Sequence, residues 1–147
     1  MQKIQSFQID HDVLDPGIYV SRIDGDVTTY DLRTRKPNSG DVMDNVTMHS
    51  VEHMIATFVR NSSIADRVIY FGPMGCQTGF YLSTMNNVTA EDIAIALKAV
   101  YEKVFPISST DDIVGLNEVQ CGNPALYAIE ETNEAMAKYI KVLFPEK

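Results

Sequence analysis

The chain has 147 residues, 45% of them hydrophobic and 22% charged, which is enough apolar mass for one globular domain spanning 1–147 and too little length for a second. Its 12 Lys and Arg against 20 Asp and Glu give a net charge of -8 and a pI near 4.7. With no run of basic residues, that balance argues against nucleic acid or an anionic membrane as partner and for a small molecule or another protein. Residues 1–10 carry a single Lys and alternate polar with apolar, unlike a secretory signal, and no apolar run is long enough to span a bilayer. The cytoplasm is therefore the expected location, and in that reducing setting Cys76 and Cys121 are expected to be free, catalytic or metal-bound rather than paired.

In chain order, 17–23 (GIYVSRI) and 26–35 (DVTTYDLRTR) are rich in β-formers and flank Asp24-Gly25, a turn signal, so they predict an antiparallel hairpin. A polar loop, Pro37-Asn38-Ser39-Gly40, follows. From about Asp44 to Arg60 the apolar residues Met48, Val51, Ile55, Phe58 and Val59 recur at helical spacing, with Asp44 or Asn45 as N-cap. Two further strands are predicted over 67–74 and 78–85, around a Gly-Pro-Met-Gly-Cys-Gln turn that is expected to be buried and whose glycines would let a ligand approach the backbone. Thr89-Ala90-Glu91-Asp92 starts a second helix as a capping box, and Pro106 stops it after about Val104. After a connector through Gln120-Cys121-Gly122, a last helix is predicted from Leu126 to Phe144, burying Ile129, Met136, Tyr139, Ile140 and Leu143. Hairpin-linked strands mixed with helices predict an α+β fold, an antiparallel sheet covered on one face by helices.

The chemistry concentrates in His49-Ser50-Val51-Glu52-His53, which holds two of the chain's three histidines. On a helix, positions i and i+4 lie one turn apart on the same face, so both imidazoles reach one ion while Glu52 stays close enough to move protons. His49, His53 and Arg60 share a stripe displaced from the apolar set, so the flank of this helix is expected to line a pocket. Two histidines leave a tetrahedral ion short of a third protein ligand and an open position. Cys121 and Cys76 are the soft candidates for it, and downstream carboxylates the hard ones. A thiolate with two imidazoles suits Zn(II), Fe(II) or Co(II) over Mg(II) or Ca(II). Cys76, between Gly75 and Gln77 in a tight turn, has the setting of an exposed, reactive thiol.

Taken together, the motifs resemble the LuxS family of S-ribosylhomocysteine lyases. The matching pieces are Ser6-Phe7-Gln8-Ile9-Asp10-His11, Tyr30-Asp31-Leu32-Arg33 with Pro37-Asn38, the HxxEH phrase at 49–53, Pro73-Met74-Gly75-Cys76-Gln77-Thr78-Gly79-Phe80-Tyr81, and Asn117-Glu118-Val119-Gln120-Cys121-Gly122. The resemblance implies that His49, His53 and Cys121 hold one divalent metal per subunit, Fe(II) with Zn(II) or Co(II) as substitutes. It implies Lewis-acid catalysis, in which the carbonyl of the opened ribose of S-ribosylhomocysteine migrates from C1 through C2 to C3, before β-elimination yields homocysteine and 4,5-dihydroxy-2,3-pentanedione, a quorum-signal (autoinducer) precursor. Cys76 would shuttle protons between C2 and C1, and Glu52 would serve the hydroxyls and the next carbon. Ser6, His11 and Arg33 would help bind the substrate, in active sites at a homodimer interface.

The chain departs from the family's usual pattern at Tyr70 and Gly72, at Arg35, and at Leu126-Tyr127-Ala128-Ile129-Glu130-Glu131. None of these positions is a metal ligand or a proton carrier, so the reaction type is unaffected and the changes fall on the substrate tail and pocket rim. Two other classes share part of the signal. In an HxxEH zinc peptidase Glu52 would activate water and Glu130 or Glu131 would be the third ligand. In a non-enzymatic metal-binding module neither Cys76 nor Glu52 would matter.

Overall fold

The computed structural model describes residues 14–113 and 115–145. Strands β1 (Gly17–Asp24) and β2 (Val27–Arg33) form the expected hairpin. Their link, Gly25-Asp26, places Gly25 at φ +58°, the left-handed conformation that two-residue hairpin turns require. Strands β3 (Val68–Pro73) and β4 (Gly79–Met85) complete a four-stranded antiparallel sheet of order β1-β2-β4-β3. Helices α1 (Asn45–Val59), α2 (Ala90–Val104) and α3 (Glu130–Leu143) share one core with the sheet.

That core follows from the period-2 alternation of the strands. Tyr30 and Leu32 of β2, Phe80 and Leu82 of β4, and Phe71 of β3 meet Met48, Val51, Ile55 and Val59 of α1. Ile93, Ala96 and Leu97 of α2 and Met136, Tyr139 and Ile140 of α3 close the same core. Phe58 is instead half-buried in a smaller cluster with Met54, Ile107 and Ile113 under the long connector after α2. The alternation sends Asp31 and Arg33 to the opposite face, yet each is only 1% exposed. Buried charge on that face is costly unless paired, and the two residues pair with each other.

The predicted caps are present. The Asp44 carboxylate accepts a hydrogen bond from the Thr47 amide at 2.9 Å, and Thr89 and Asp92 form a reciprocal capping box at the start of α2.

Two expectations need correction. The final helix begins at Glu130 rather than Leu126, because the backbone of 126–128 is bonded elsewhere: the Leu126 carbonyl meets His49 and the Ala128 amide donates to Ser50. A segment with those bonds committed sideways cannot direct them along a helix axis. The β3–β4 turn is also less enclosed than predicted, with Gly75 and Cys76 exposed. Among the described residues no atom lies within 4 Å of where a Cβ would stand on Gly75. Gly79 is the glycine that close packing demands, since a Cβ there would come within 2.8 Å of the Leu32 carbonyl.

Candidate metal centre and active site

α1 carries His49 and His53 on its half-buried flank, and their side chains converge. His53 Nε2 lies 3.0 Å from His49 Nε2, with the rings edge to face. Cys121 Sγ lies 3.4 Å from the same His49 Nε2, and one ligand atom from each residue falls within 4.8 Å of the others. Ligands at about 2.0–2.1 Å for nitrogen and about 2.3 Å for sulfur around a tetrahedral ion stand roughly 3.3–3.6 Å apart. Both distances from His49 Nε2 are close to that spacing and all three ligand atoms lie within 4.8 Å of one another, so small side-chain adjustments would let the three hold one ion. Two imidazoles and a thiolate form a donor set for a transition metal or zinc and not for the oxygen-seeking Mg(II) or Ca(II).

The surroundings orient these donors. His49 Nδ1 lies 2.5 Å from the Leu126 carbonyl, which can only accept, so Nδ1 carries the proton and Nε2 keeps a free lone pair aimed at the shared point. Beside His53, Gly115 adopts φ +78°, and a Cβ there would stand 3.3 Å from Nδ1, so the chain passes close to the ring only because this residue is glycine. Cys121 is presented by a turn that Asn117 organises. The Asn117 Oδ1 accepts from the amides of Val119 at 3.1 Å and Gln120 at 3.0 Å, and the Cys121 amide donates to the Asn117 carbonyl at 2.9 Å. The Asn123 amide then points at Cys121 Sγ from 3.4 Å. Sequence reasoning assigned no role to Asn117, Gly115 or the Leu126 carbonyl. The turn preference of Asn was a usable signal, whereas a backbone carbonyl leaves none.

Two hollows adjoin the triad. One of about 370 Å³ runs from His49 and Glu52 to Pro73, Met74, Gly75 and Gln77. The other, about 400 Å³, is lined by His49, Glu52, His53, Gln120 and Cys121. Glu52 borders both and is the sole carboxylate among their lining residues. Glu130 and Glu131, the ligands a peptidase reading would need, sit exposed in the first turn of α3. Among the described residues the one group spaced to hold a metal is His49, His53 and Cys121.

Cys76 occupies a separate hollow of about 240 Å³ with Pro37, Asn38, Gly40, Val42 and Thr78. Its turn is fixed by the Met74 amide donating to the Gly79 carbonyl and by Gln77 at φ +63°. Cys76 Sγ lies 3.0 Å from the Thr78 hydroxyl and 3.7 Å from Arg33 Nη1. Partial burial opposes ionisation of this thiol, but hydrogen bonds from the side chain and backbone of Thr78 and the nearby Arg33 guanidinium outweigh it, so its pKa lies below the ordinary thiol value. Arg33 reaches the site through Cys76 and is itself almost wholly buried. Ser6 and His11 lie outside the described residues.

Residues 4–145 match the family model described as S-Ribosylhomocysteinase (LuxS). Curated relatives named S-ribosylhomocysteine lyase include one from Desulfotalea psychrophila, 44% identical over 144 residues (95% of this chain and 89% of the relative). One from Borreliella afzelii is 36% identical over 148 residues, covering 97% and 93%. One from Clostridium beijerinckii is 43% identical over 145 residues, covering 95% and 87%. With a family match across nearly the whole chain and a His-His-Cys group that could hold a metal assembled from the HxxEH helix and the QCG turn, the protein belongs to the LuxS family.

Proposed function

We propose that the protein is an S-ribosylhomocysteine lyase, releasing homocysteine and 4,5-dihydroxy-2,3-pentanedione by successive carbonyl migration and β-elimination. The observation that carries this reading is the convergence of His49, His53 and Cys121 beside Glu52, in a chain whose relatives bear that enzyme's name. An ion held by the three ligands, Fe(II) with Zn(II) or Co(II) as substitutes and one per subunit, supplies Lewis acidity toward a sugar carbonyl.

The remaining work is proton movement by the chain's own groups. Cys76 Sγ, already biased toward the thiolate, takes the proton from C2 of the open-chain sugar and returns one to C1. Glu52, bordering both hollows, serves the hydroxyls and the next carbon. With the carbonyl at C3, loss of the C4 proton expels homocysteine thiolate from C5. Each step relocates protons and one electron pair, so no external oxidant or reductant is needed. Arg33, Ser6 and His11 complete the assignment as substrate-binding residues.

A homodimer with the active site at the interface is part of the proposal. Cys76 and Glu52 open on different hollows of one chain, and exposed apolar residues at Ile23, Ile69 and Tyr70 mark sheet surface that a second copy can cover. No helix among the described residues is long and apolar enough to cross a membrane. A cytoplasmic enzyme that recycles a methyl-cycle by-product and yields a quorum-signal precursor fits these features.

The test is a free-thiol assay with S-ribosylhomocysteine on Fe(II)-loaded protein. Homocysteine release that Cys76→Ala and Glu52→Gln both abolish supports the lyase. No release from the loaded protein would sink it, and turnover unaffected by both substitutions would remove the assigned proton carriers.

A further inference from the structure

The Asp31–Arg33 pair is an anomaly of the sheet. Two oppositely charged side chains on the face away from the helical core are each 1% exposed, although burying an ion pair usually gains little stability over an apolar pair of similar volume. The pair is also incompletely satisfied, since Asp31 Oδ1 and Arg33 Nε have no hydrogen-bond partner among the described residues. A costly arrangement kept in the middle of a sheet calls for a use, and its free end supplies one. Arg33 Nη2 donates to Asp31 Oδ2 at 2.5 Å, while Nη1 donates to the Thr78 hydroxyl at 2.7 Å and lies 3.7 Å from Cys76 Sγ.

The direction of these bonds matters. A guanidinium can only donate, so the Thr78 oxygen accepts from Nη1 and its own hydrogen is left to point at Cys76 Sγ, 3.0 Å away. A thiolate then receives a hydroxyl hydrogen bond and faces a cation, and a hydroxyl polarised by a cation is the better donor.

We propose that Asp31 and Thr78 are positioning residues for the reaction, Asp31 by anchoring the Arg33 guanidinium and Thr78 by carrying its polarisation to Cys76 Sγ. The proposal rests on Cys76 being a proton carrier, as assigned above. Among the described residues, the charged groups facing Cys76 are Arg33 and, behind it, Asp31. On the other side, the loop that closes the hollow presents Pro37, Asn38, Gly40 and Val42, none of them titratable. Tyr19 and Tyr139 stand near Asp31 and Arg33; burial raises both phenol pKa values, helped by Asp15 and Asp31 at Tyr19 and by Asp31 at Tyr139, so both remain neutral through the range in which a thiol titrates.

The measurement is the pH dependence of Cys76 alkylation by iodoacetamide in metal-loaded protein, followed on the Cys76 peptide by mass spectrometry so that Cys121 does not contribute. Thr78→Val removes the donor and should move the Cys76 titration up by about one pH unit, a roughly tenfold loss of thiolate below the pKa. Thr78→Ser should restore it. Asp31→Ala and Asp31→Asn remove the same negative charge, but only Asp31→Ala also releases the guanidinium, so its titration should lie above that of Asp31→Asn. A Thr78→Val profile superimposing on wild type, with an Asp31→Ala profile superimposing on that of Asp31→Asn, would overturn the proposal. Should Asp31→Ala fail to fold, the Thr78 pair decides by itself. In turnover, Thr78→Val should lower kcat with KM nearly unchanged, whereas Asp31→Ala, which also frees the substrate-binding Arg33, should raise KM as well. A shifted alkylation profile with unaltered turnover would leave the positioning intact and instead remove Cys76 from the reaction.

Discussion

Ser50→Ala deletes one oxygen at the point where the last connector is pinned to the metal helix. Ser50 is fully buried, its hydroxyl donates to the Val46 carbonyl at 3.0 Å, and it accepts from the Ala128 amide at 2.8 Å. The Val46 carbonyl is also an acceptor within α1, so its loss is small. The Ala128 amide, in a residue only 8% exposed, is left without its partner. An unsatisfied buried donor costs about 1–3 kcal/mol, a large share of the roughly 5–15 kcal/mol by which a domain is stable. Two residues earlier the same segment presents the Leu126 carbonyl to His49 Nδ1. Losing a partner that orients a metal-bound histidine typically costs about 10–100-fold in affinity. Two assays separate these effects: urea denaturation of the metal-free protein for stability, and Co(II) titration against a competing chelator for affinity. Metal-free stability within about 0.5 kcal/mol of wild type, with Co(II) affinity unchanged, would refute the reasoning, because surface-like substitutions fall in that range.

Three further outcomes follow from particular residues. Cys121→Ser should abolish the thiolate charge-transfer absorption of the Co(II) form while leaving the fold intact by circular dichroism, and persistence of the band would mean that another sulfur is the ligand. Gly79→Ala drives a Cβ to 2.8 Å from the Leu32 carbonyl and should destabilise by about 1–3 kcal/mol in denaturant. Gly72→Ala meets only the exposed, movable Tyr70 side chain, its hydroxyl and ring edge, and should cost clearly less, so equal losses would contradict the packing argument. Asp44→Ala should cost about 1 kcal/mol near neutral pH. Hydrogen bonds from Thr47 depress the Asp44 pKa in the folded state. Its contribution is therefore complete above the unfolded value near 3.9 and is lost as pH falls through the lowered folded value, so stability curves of mutant and wild type should converge in acid.

How much was legible in the sequence depends on how far apart the interacting groups lie along the chain. Local rules set the β1–β2 turn at Gly25, the Asp44 cap and the Thr89–Asp92 capping box, because each uses residues within four positions of one another. The His49–His53 pair belongs to the same class, since one helical turn brings the rings together whatever the rest of the chain does. The family's motifs added Cys121 and Cys76, which no spacing rule links to that helix.

Tertiary structure decided the rest, because backbone groups and buried charges choose partners by position and not by residue type. Helical periodicity over 126–144 carried no sign that the Leu126 carbonyl and Ala128 amide were committed to His49 and Ser50, 77 and 78 residues away, so the predicted helix began one turn too early. Arg33 read equally well as a hairpin ion pair or a substrate ligand. Only the β2–β4 register, which sets Arg33 opposite Gly79, shows it turned toward Thr78 and Cys76 with Asp31 at its back.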